Sequence, residues 1–389
     1  MYILQKGKRV LQLLILIAII ISFTVTGILG LTVATNYNNL GRLIQVGVLI
    51  KSEFLWPVEN KDLIDGAIEG MVQSLEDRYS EYLDREEFLK LQGHIQGSFG
   101  GLGIYVGMRD GKITVVAPIE GSPGERAGIK SGDVIVSING RSTENMSMDE
   151  AVDQMKGEPG TEVTVALKRA EVDTPIELTI VREIINVQTV AGQILEENPH
   201  VGYIRIAMFA SNTDEAFTEE LGKLREQGIK GLIIDLRNNP GGDLNSVVNI
   251  AQHFLPKGPV VHIVDNKGNK NTLSTPGTNF EIPLVVLINE GSASASEILA
   301  GAVQDTQVGI LVGNTTFGKG IVQNVYFLSD GAGLKLTTAK YLTPNERDIH
   351  GKGVKPDIEV NLPVFVSGQE EFIEDTQFIE ALRLIEEKI

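Results

Sequence analysis

The spacing of apolar positions changes several times along the chain. Val10 to Gly41 carries no charge, and its centre, LQLLILIAIIISFTVTGILGLTVA, is almost unbroken in apolar character. About 20 such residues cross a bilayer as a helix. Lys6, Lys8 and Arg9 precede it and belong on the cytoplasmic side. This predicts a transmembrane anchor within 1–36 and export of everything after it. A signal peptide cut near Ala34 predicts the same export, but the run is longer than the roughly 7–15 apolar residues of a signal core.

Between 37 and 92, Leu63, Ile64, Ala67, Ile68, Met71, Val72 and Leu75 recur at helical spacing, with Asp62 as the expected N-cap. The pattern predicts a helical region for packing or dimerisation. From 93 to 183 it shifts to short strands and glycine turns: SFGGLGIYV, KITVVAPI, DVIVSING, EVTVALKR and IELTIVRE. A short amphipathic helix, SMDEAVDQMKG, separates the third from the fourth. A small sheet with one helix beside an edge strand can accept a peptide by strand addition.

From 184 to 361 strands and helices alternate, an α/β pattern. VGYIRIAMF, GLIIDLR and PLVVLIN read as strands. Asp214 to Gly228, Leu244 to Phe254 and Ala293 to Val303 read as helices, the first with Ala216, Phe217, Leu221 and Leu224 facing inward. In the 362–389 extension, Phe378, Ile379, Leu382 and Ile385 share a helical face, which packs on the parent domain or pairs with a second subunit.

Composition narrows the function classes. The 389 residues carry a net charge of −17. That excludes the basic face a nucleic-acid binder needs. There is no cysteine, so disulfides, thiolate metal sites and thiol catalysis are ruled out. The five histidines, His94, His200, His253, His262 and His350, form no HExxH pair. Neither a metal nor a cofactor is expected.

Three segments carry candidate chemistry. In Gly291-Ser292-Ala293-Ser294-Ala295-Ser296-Glu297 the serines stand where a strand turns into a helix, and the helix N-terminus favours developing negative charge. Each of the three could be a nucleophile or a helix cap. In Phe317-Gly318-Lys319-Gly320 the glycines let Lys319 enter a tight space, and Gln323 falls on the same face of the following strand. A lysine base needs its pKa lowered from about 10.4 towards about 7, roughly 4–5 kcal/mol, which burial can supply. Ser–Lys pairs are a known nucleophile–base arrangement; the alternative is a surface turn. The third segment, Asp235-Leu236-Arg237-Asn238-Asn239-Pro240-Gly241-Gly242, ends a buried strand and can aim an N–H at an oxyanion. No G-x-S-x-G elbow is present.

In this order and spacing the segments resemble the carboxyl-terminal processing, or tail-specific, serine peptidases of the bacterial, PDZ-containing type. The resemblance covers nearly the whole exported chain. It rests on RYSEYLD at 78–84, GLGI at 101–104, AGIKSGDVIVSING at 127–140, DLRNNPGG at 235–242, GSASASE at 291–297, TFGKGIVQ at 316–323, LKLTTAKYLTP at 334–344 and GKGVKPDI at 351–358. It implies an α/β (α+β) peptidase core of cap-and-spiral type over 184–361, carrying an inserted PDZ-like domain over 93–183. It also implies Ser294 as nucleophile, Lys319 as general base 25 residues on, Gln323 orienting the lysine, and the N–H groups of Gly241 and Ala295 as oxyanion hole. The inserted domain would bind the substrate's C-terminus and gate the site.

The residues of that domain suit the role. Gly101 and Gly103 offer backbone N–H groups to a carboxylate, Leu102 and Ile104 flank an apolar pocket, and Val152 and Met155 line its other wall. The plain alternative is a turn and a core strand. The expected partners are proteins with exposed apolar C-termini and, through the anchor, a membrane; a homodimer is a further expectation. The competing function is a peptide-binding scaffold with an inactive core. Two positions depart from the family pattern: Glu346 stands where glycine is expected, and Asp243 where an apolar residue is usual.

Overall fold

The computed structural model describes residues 22, 24, 39–170, 172, 174–278, 280–362 and 374–389. The anchor expected over 1–36 lies outside them, Ser22 and Thr24 aside. Among the described residues no helix is long and apolar enough to cross a membrane. The chain divides between Glu76 and Asp77 into two compact units.

The first unit contains a helix over 39–53 and the helix Asn60–Gln73. The second helix starts earlier than expected, with Glu59 at the N-cap and Asp62 in the first turn. Asp62 therefore does not cap, although its charge there still suits the positive helix end.

The second unit begins with a further correction. Residues 37–92 were expected to be helical throughout, but Glu81–Leu83 is a strand paired antiparallel with Gly333–Leu342. The pairing spans the length of the unit, so no local periodicity announces it. The helix Arg85–Gln96 follows.

At the centre of the second unit is a sheet in the order Val190–Ile194, Val201–Ile206, Gly231–Asp235, Leu284–Ile288, Ile310–Gly313 and Ile358–Glu359. Its first pair is antiparallel and the rest are parallel. The continuous apolar runs in GLIIDLR and PLVVLIN are explained by burial on both faces. Leu232, Ile234, Val286 and Ile288 pack with Phe217, Leu221, Val247, Ile250 and Leu299 of the helices Thr213–Glu226, Leu244–Ala251 and Ala295–Thr306. Ile233, Val285 and Leu287 point the other way, against Ala381, Leu384 and Ile385 of Thr376–Glu386. The C-terminal helix thus packs on its own domain. Its buried face is rotated slightly from the expected one, leaving Ile379 exposed.

An antiparallel sheet of Glu81–Leu83, Gly333–Leu342, Gly258–Asp265 and Lys270–Thr275 lies beside this core, with Ile321–Phe327 also paired to Gly333–Leu342. The inserted domain joins the core through a two-stranded neck, Ser98–Gly101 against Glu183–Asn186. Beyond the neck are Ile104–Arg109, Lys112–Pro118, Val134–Ile138, Glu162–Lys168 and Ile176–Val181 in that spatial order, with Met148–Met155 as their helix. SFGGLGIYV, expected as one strand, is broken at Leu102 and Gly103. Gly103 has φ +67°, and a Cβ there would meet Ser122 Cβ at 2.3 Å.

Arg182 fastens this neck. Its buried guanidinium donates to the carbonyls of Gln154, Met155 and Glu162 at 2.9–3.0 Å and to Thr161 Oγ1 at 3.0 Å. Two of those carbonyls end the Met148–Met155 helix, where a cation suits the dipole. Arg182→Met keeps the stem but leaves buried carbonyls unpaired, each costing about 1–3 kcal/mol. A clear fall in the urea unfolding midpoint is expected; an unchanged midpoint would show that the neck does not depend on this cation.

Candidate active site

The carboxyl ends of Gly231–Asp235 and Leu284–Ile288 lie side by side, where open α/β sheets place their sites. The two loops that leave them are zipped together. Asn289 Oδ1 accepts the N–H of Asn238 at 2.8 Å and of Gly291 at 3.0 Å, and Asn289 Nδ2 donates to Asn238 Oδ1 at 3.0 Å. Asn239 donates from Nδ2 to Ile206 O at 2.8 Å, and its backbone O accepts the Ala293 N–H at 3.0 Å. Below this zipper Arg237 forks onto Asp235 and reaches Asp375 at 2.8 Å, while Tyr203 OH donates to Asp235 at 2.7 Å. Burial first, then the Asp235 charge, pushes the Tyr203 phenol up.

This packing separates the three candidate serines. Ser292 is fully buried and donates to Leu236 O at 2.8 Å. Ser296 is fully buried and donates to Asn239 O at 3.0 Å. Both hydroxyls fasten loops. Ser294 is only half-buried, at the N-cap position of Ala295–Thr306, with φ +57° and ψ −114°. Such backbone costs about 1–3 kcal/mol in a non-glycine residue and concentrates at functional sites.

Glu297 holds the strained turn in place. Its fully buried carboxylate accepts the N–H groups of Ser294 at 2.9 Å, Gly318 at 2.7 Å and Lys319 at 2.8 Å, and the Thr316 hydroxyl at 2.6 Å. One anion therefore ties the N-terminus of the serine helix to the lysine loop. Lys319 is half-buried, with Nζ 5.2 Å from the centroid of the Tyr79 ring, a cation–π contact. Burial first, and the nearby Lys335 charge second, hold its ammonium below the usual lysine range. Nζ makes no hydrogen bond to Ser294. The Ser294 Oγ instead accepts one from Tyr341 OH at 3.0 Å.

The other expected residues fall as follows. Gln323 sits beyond a register shift between Val322 and Gln323, and its amide donates to Tyr79 O rather than to Lys319. Both side chains meet at Tyr79, on its ring and on its carbonyl. Ala295 N–H has no partner among the described residues. Gly241 packs against it so closely that a Cβ would lie 2.6 Å from Ser294 Cβ and 2.8 Å from Ala295 N. The Gly241 N–H, however, is donated to Asn239 Oδ1 at 2.9 Å, so it is not free as expected.

In the inserted domain Ile104–Arg109 is an edge strand, as peptide addition requires. The N–H groups of Leu102 and Gly103 have no partner among the described residues. Leu102 and Met155 are core side chains, 2% and 5% exposed, and do not line a pocket; Ile104 and Val152 remain half-buried beside them. Gly101 pairs in the neck.

Glu297, Tyr341, Tyr79 and Asn239 were not singled out from sequence. Ser294 and Glu297 do have the S-x-x-E spacing of a capping box, a usable signal. The two departures resolve locally. Glu346 has φ +59°, where glycine costs nothing, and its carboxylate pairs with Lys270 at 2.7 Å. Asp243 caps Leu244–Ala251, accepting the Ser246 N–H at 2.7 Å.

Residues 200–360 match peptidase family S41, residues 114–169 match a PDZ domain, and residues 30–87 match the N-terminal domain of the activating protease CtpB. The carboxyl-terminal-processing protease of Synechocystis is 39% identical over 334 residues, 85% of this chain and 78% of that one. The carboxy-terminal processing protease CtpA of Bacillus subtilis is 40% identical over 316 residues, 81% of this chain and 67% of that one. Among solved structures, the photosystem II D1 C-terminal processing protease aligns with a TM-score of 0.50 at 32% identity, covering 84% of this chain and 89% of that one.

Glu297→Gln tests the clamp. An amide sets its NH2 against donors that the carboxylate accepts, and each lost hydrogen bond to a charged group is worth about 1.5–3 kcal/mol. Cleavage should fall at least about tenfold and the melting temperature should drop. Wild-type activity with an unchanged melting temperature would show that the carboxylate does not align the site.

Proposed function

The chain belongs to peptidase family S41, the serine-type carboxyl-terminal processing proteases, and from that premise we propose that Ser294 and Lys319 are its catalytic dyad. One observation carries the choice of nucleophile. Ser292 and Ser296 are fully buried and donate to backbone carbonyls, whereas Ser294 is half-exposed and bonded to Tyr341 OH, on a helix whose N-terminus Glu297 ties to the lysine loop.

In this reading neutral Lys319 swings from the Tyr79 ring to Ser294 and takes its proton as Oγ attacks the scissile carbonyl. Gln323 acts on the lysine through Tyr79, whose carbonyl it holds. The carbonyl electron pair moves to oxygen and is met by the Ala295 N–H. A second donor comes from the glycine pair, either Gly241 once it leaves Asn239 or the adjoining Gly242. Lys319 then protonates the departing amine, and water hydrolyses the acyl-enzyme.

The chain organisation we infer is an anchor within 1–36, an N-terminal region to 92 whose helices are interrupted by the strand Glu81–Leu83, a PDZ domain over 93–183, a cap-and-spiral core over 184–361 and a helical extension. The edge strand Ile104–Arg109 and the free N–H groups of Leu102 and Gly103 support capture of an exposed apolar C-terminus there. The basic residues ahead of a long charge-free run support an extracytoplasmic enzyme held at the membrane. Exposed Leu43, Ile44 and Val48 on the 39–53 helix support a homodimer through the first unit.

Residues 36–389 with a tail-bearing unfolded substrate test the dyad. Ser294→Ala and Lys319→Ala should lose at least about a thousandfold in rate, whereas Ser292→Ala and Ser296→Ala should still cleave. Residual cleavage by Ser294→Ala at the wild-type rate would overturn the assignment. A lysine base works deprotonated, so kcat/KM should rise with pH through the depressed Lys319 pKa. Lys335→Met removes a nearby positive charge and frees its ion-pair partner Glu81. Both changes favour protonated Lys319, so the acid limb should move to higher pH. A limb that stays in place would remove Lys319 as the titrating base.

A further inference from the structure

We propose that Tyr341 is a further catalytic residue, whose hydroxyl binds Ser294 Oγ and shares the negative charge that forms there during reaction. The inference rests on the Ser294–Lys319 reading and deepens it.

Tyr341 OH donates to Ser294 Oγ at 3.0 Å. Its ring is 4% exposed and packed in the same core as Ala295, Ile298 and Val354. Two anchors fix it. Tyr341 pairs with Ile263 in the antiparallel sheet, and its backbone N–H donates to the carbonyl of Gly320, the residue after Lys319. The strand that places the phenol thus also holds the lysine loop. Burial pushes the phenol pKa up, so the group stays protonated, and a donor, beyond the ordinary tyrosine range.

The direction of approach favours a role in the reaction over simple satisfaction of a buried hydroxyl. Ser292 and Ser296 show what structural hydroxyls do in this loop: each donates to a backbone carbonyl, and Ser292 also accepts the Asn289 N–H at 3.0 Å. Ser294 Oγ donates to no backbone carbonyl among the described residues and accepts a side-chain phenol from the protein interior, while the serine stays half-exposed. Its own proton and its open side remain available to the base and the substrate.

In the first step the Ser294 proton passes to Lys319 Nζ, an Oγ lone pair forms the C–O bond, and the carbonyl π pair moves to oxygen. Tyr341 keeps its proton throughout. Its hydrogen bond strengthens as charge builds on Oγ, since a bond to an ionised acceptor is about twice as strong as a neutral one. In deacylation the C–Oγ bond breaks, Oγ recovers a proton from Lys319, and the same phenol stabilises the leaving oxygen.

The test is Tyr341→Phe in the 36–389 protein, with three measurements: kcat and KM on a tail-bearing substrate, the rate of Ser294 labelling by a small fluorophosphonate, and the unfolding midpoint. A fall of about 10–100-fold in kcat is expected, with KM within about twofold, labelling slowed in parallel and the midpoint nearly unchanged. Wild-type kcat and labelling would overturn the proposal. So would faster labelling, which would make the contact a restraint, or slow turnover with normal labelling, which would place Tyr341 in substrate binding. If the phenylalanine variant does not fold, 3-fluorotyrosine placed at 341 keeps the hydroxyl and makes it a stronger donor. Labelling should then accelerate, and an unchanged rate would sink the idea. Ser294→Ala separates the two readings: its activity would remove the dyad, whereas an inactive Ser294→Ala beside a fully active Tyr341→Phe removes Tyr341 alone.

Discussion

A single buried carboxylate decides whether this site exists. Glu297 accepts hydrogen bonds from Ser294, Thr316, Gly318 and Lys319, so the turn of Ser294 and the loop of Lys319 share one anchor. A buried anion is costly unless its lone pairs are satisfied, and here satisfying them requires both loops to be in place. Ser294 and Lys319 are therefore brought into place together. The same bonds restrain the unfavourable backbone angles of Ser294, strain that no residue of the turn could carry alone.

Around that anchor each element supplies position rather than chemistry. The parallel sheet brings the two loop origins together, and the asparagines 238, 239 and 289 fasten them by matching amides to backbone groups. The Arg237–Asp375 pair extends this support to the C-terminal helix. The antiparallel sheet delivers Lys319, Tyr341 and Tyr79 from three separated strands or their flanks. The inserted domain contributes an open strand edge on a stalk of its own.

Much of this was legible in the amino-acid order. The continuous apolar runs of GLIIDLR and PLVVLIN foretold strands buried on both faces, and the serine, lysine and NNPGG segments singled out in the sequence come together in the fold. What escaped was whatever depends on distant pairing. Glu81–Leu83 looks helical by its neighbours and becomes a strand only against Gly333–Leu342. Local alternation placed Gln323 beside Lys319, and a register shift turned it to Tyr79. Leu102 and Met155 were assigned to a binding pocket because apolar residues near a glycine loop suit one equally well, yet three-dimensional packing drew them into the core. Telling the three serines apart needed the partner of each hydroxyl, which only the folded loops reveal.

The pairing of Glu81–Leu83 with Gly333–Leu342 has a consequence in time. Tyr79, the face on which Lys319 rests, lies near the start of the second unit, and Tyr341 lies near its end. Closing such long loops is slow relative to local structure. A chain still emerging, with the sheet's last strands unmade, already carries the whole inserted domain, but it holds neither Lys319 nor Tyr341 in place. The inserted domain can therefore mature before the site that the distant strands assemble.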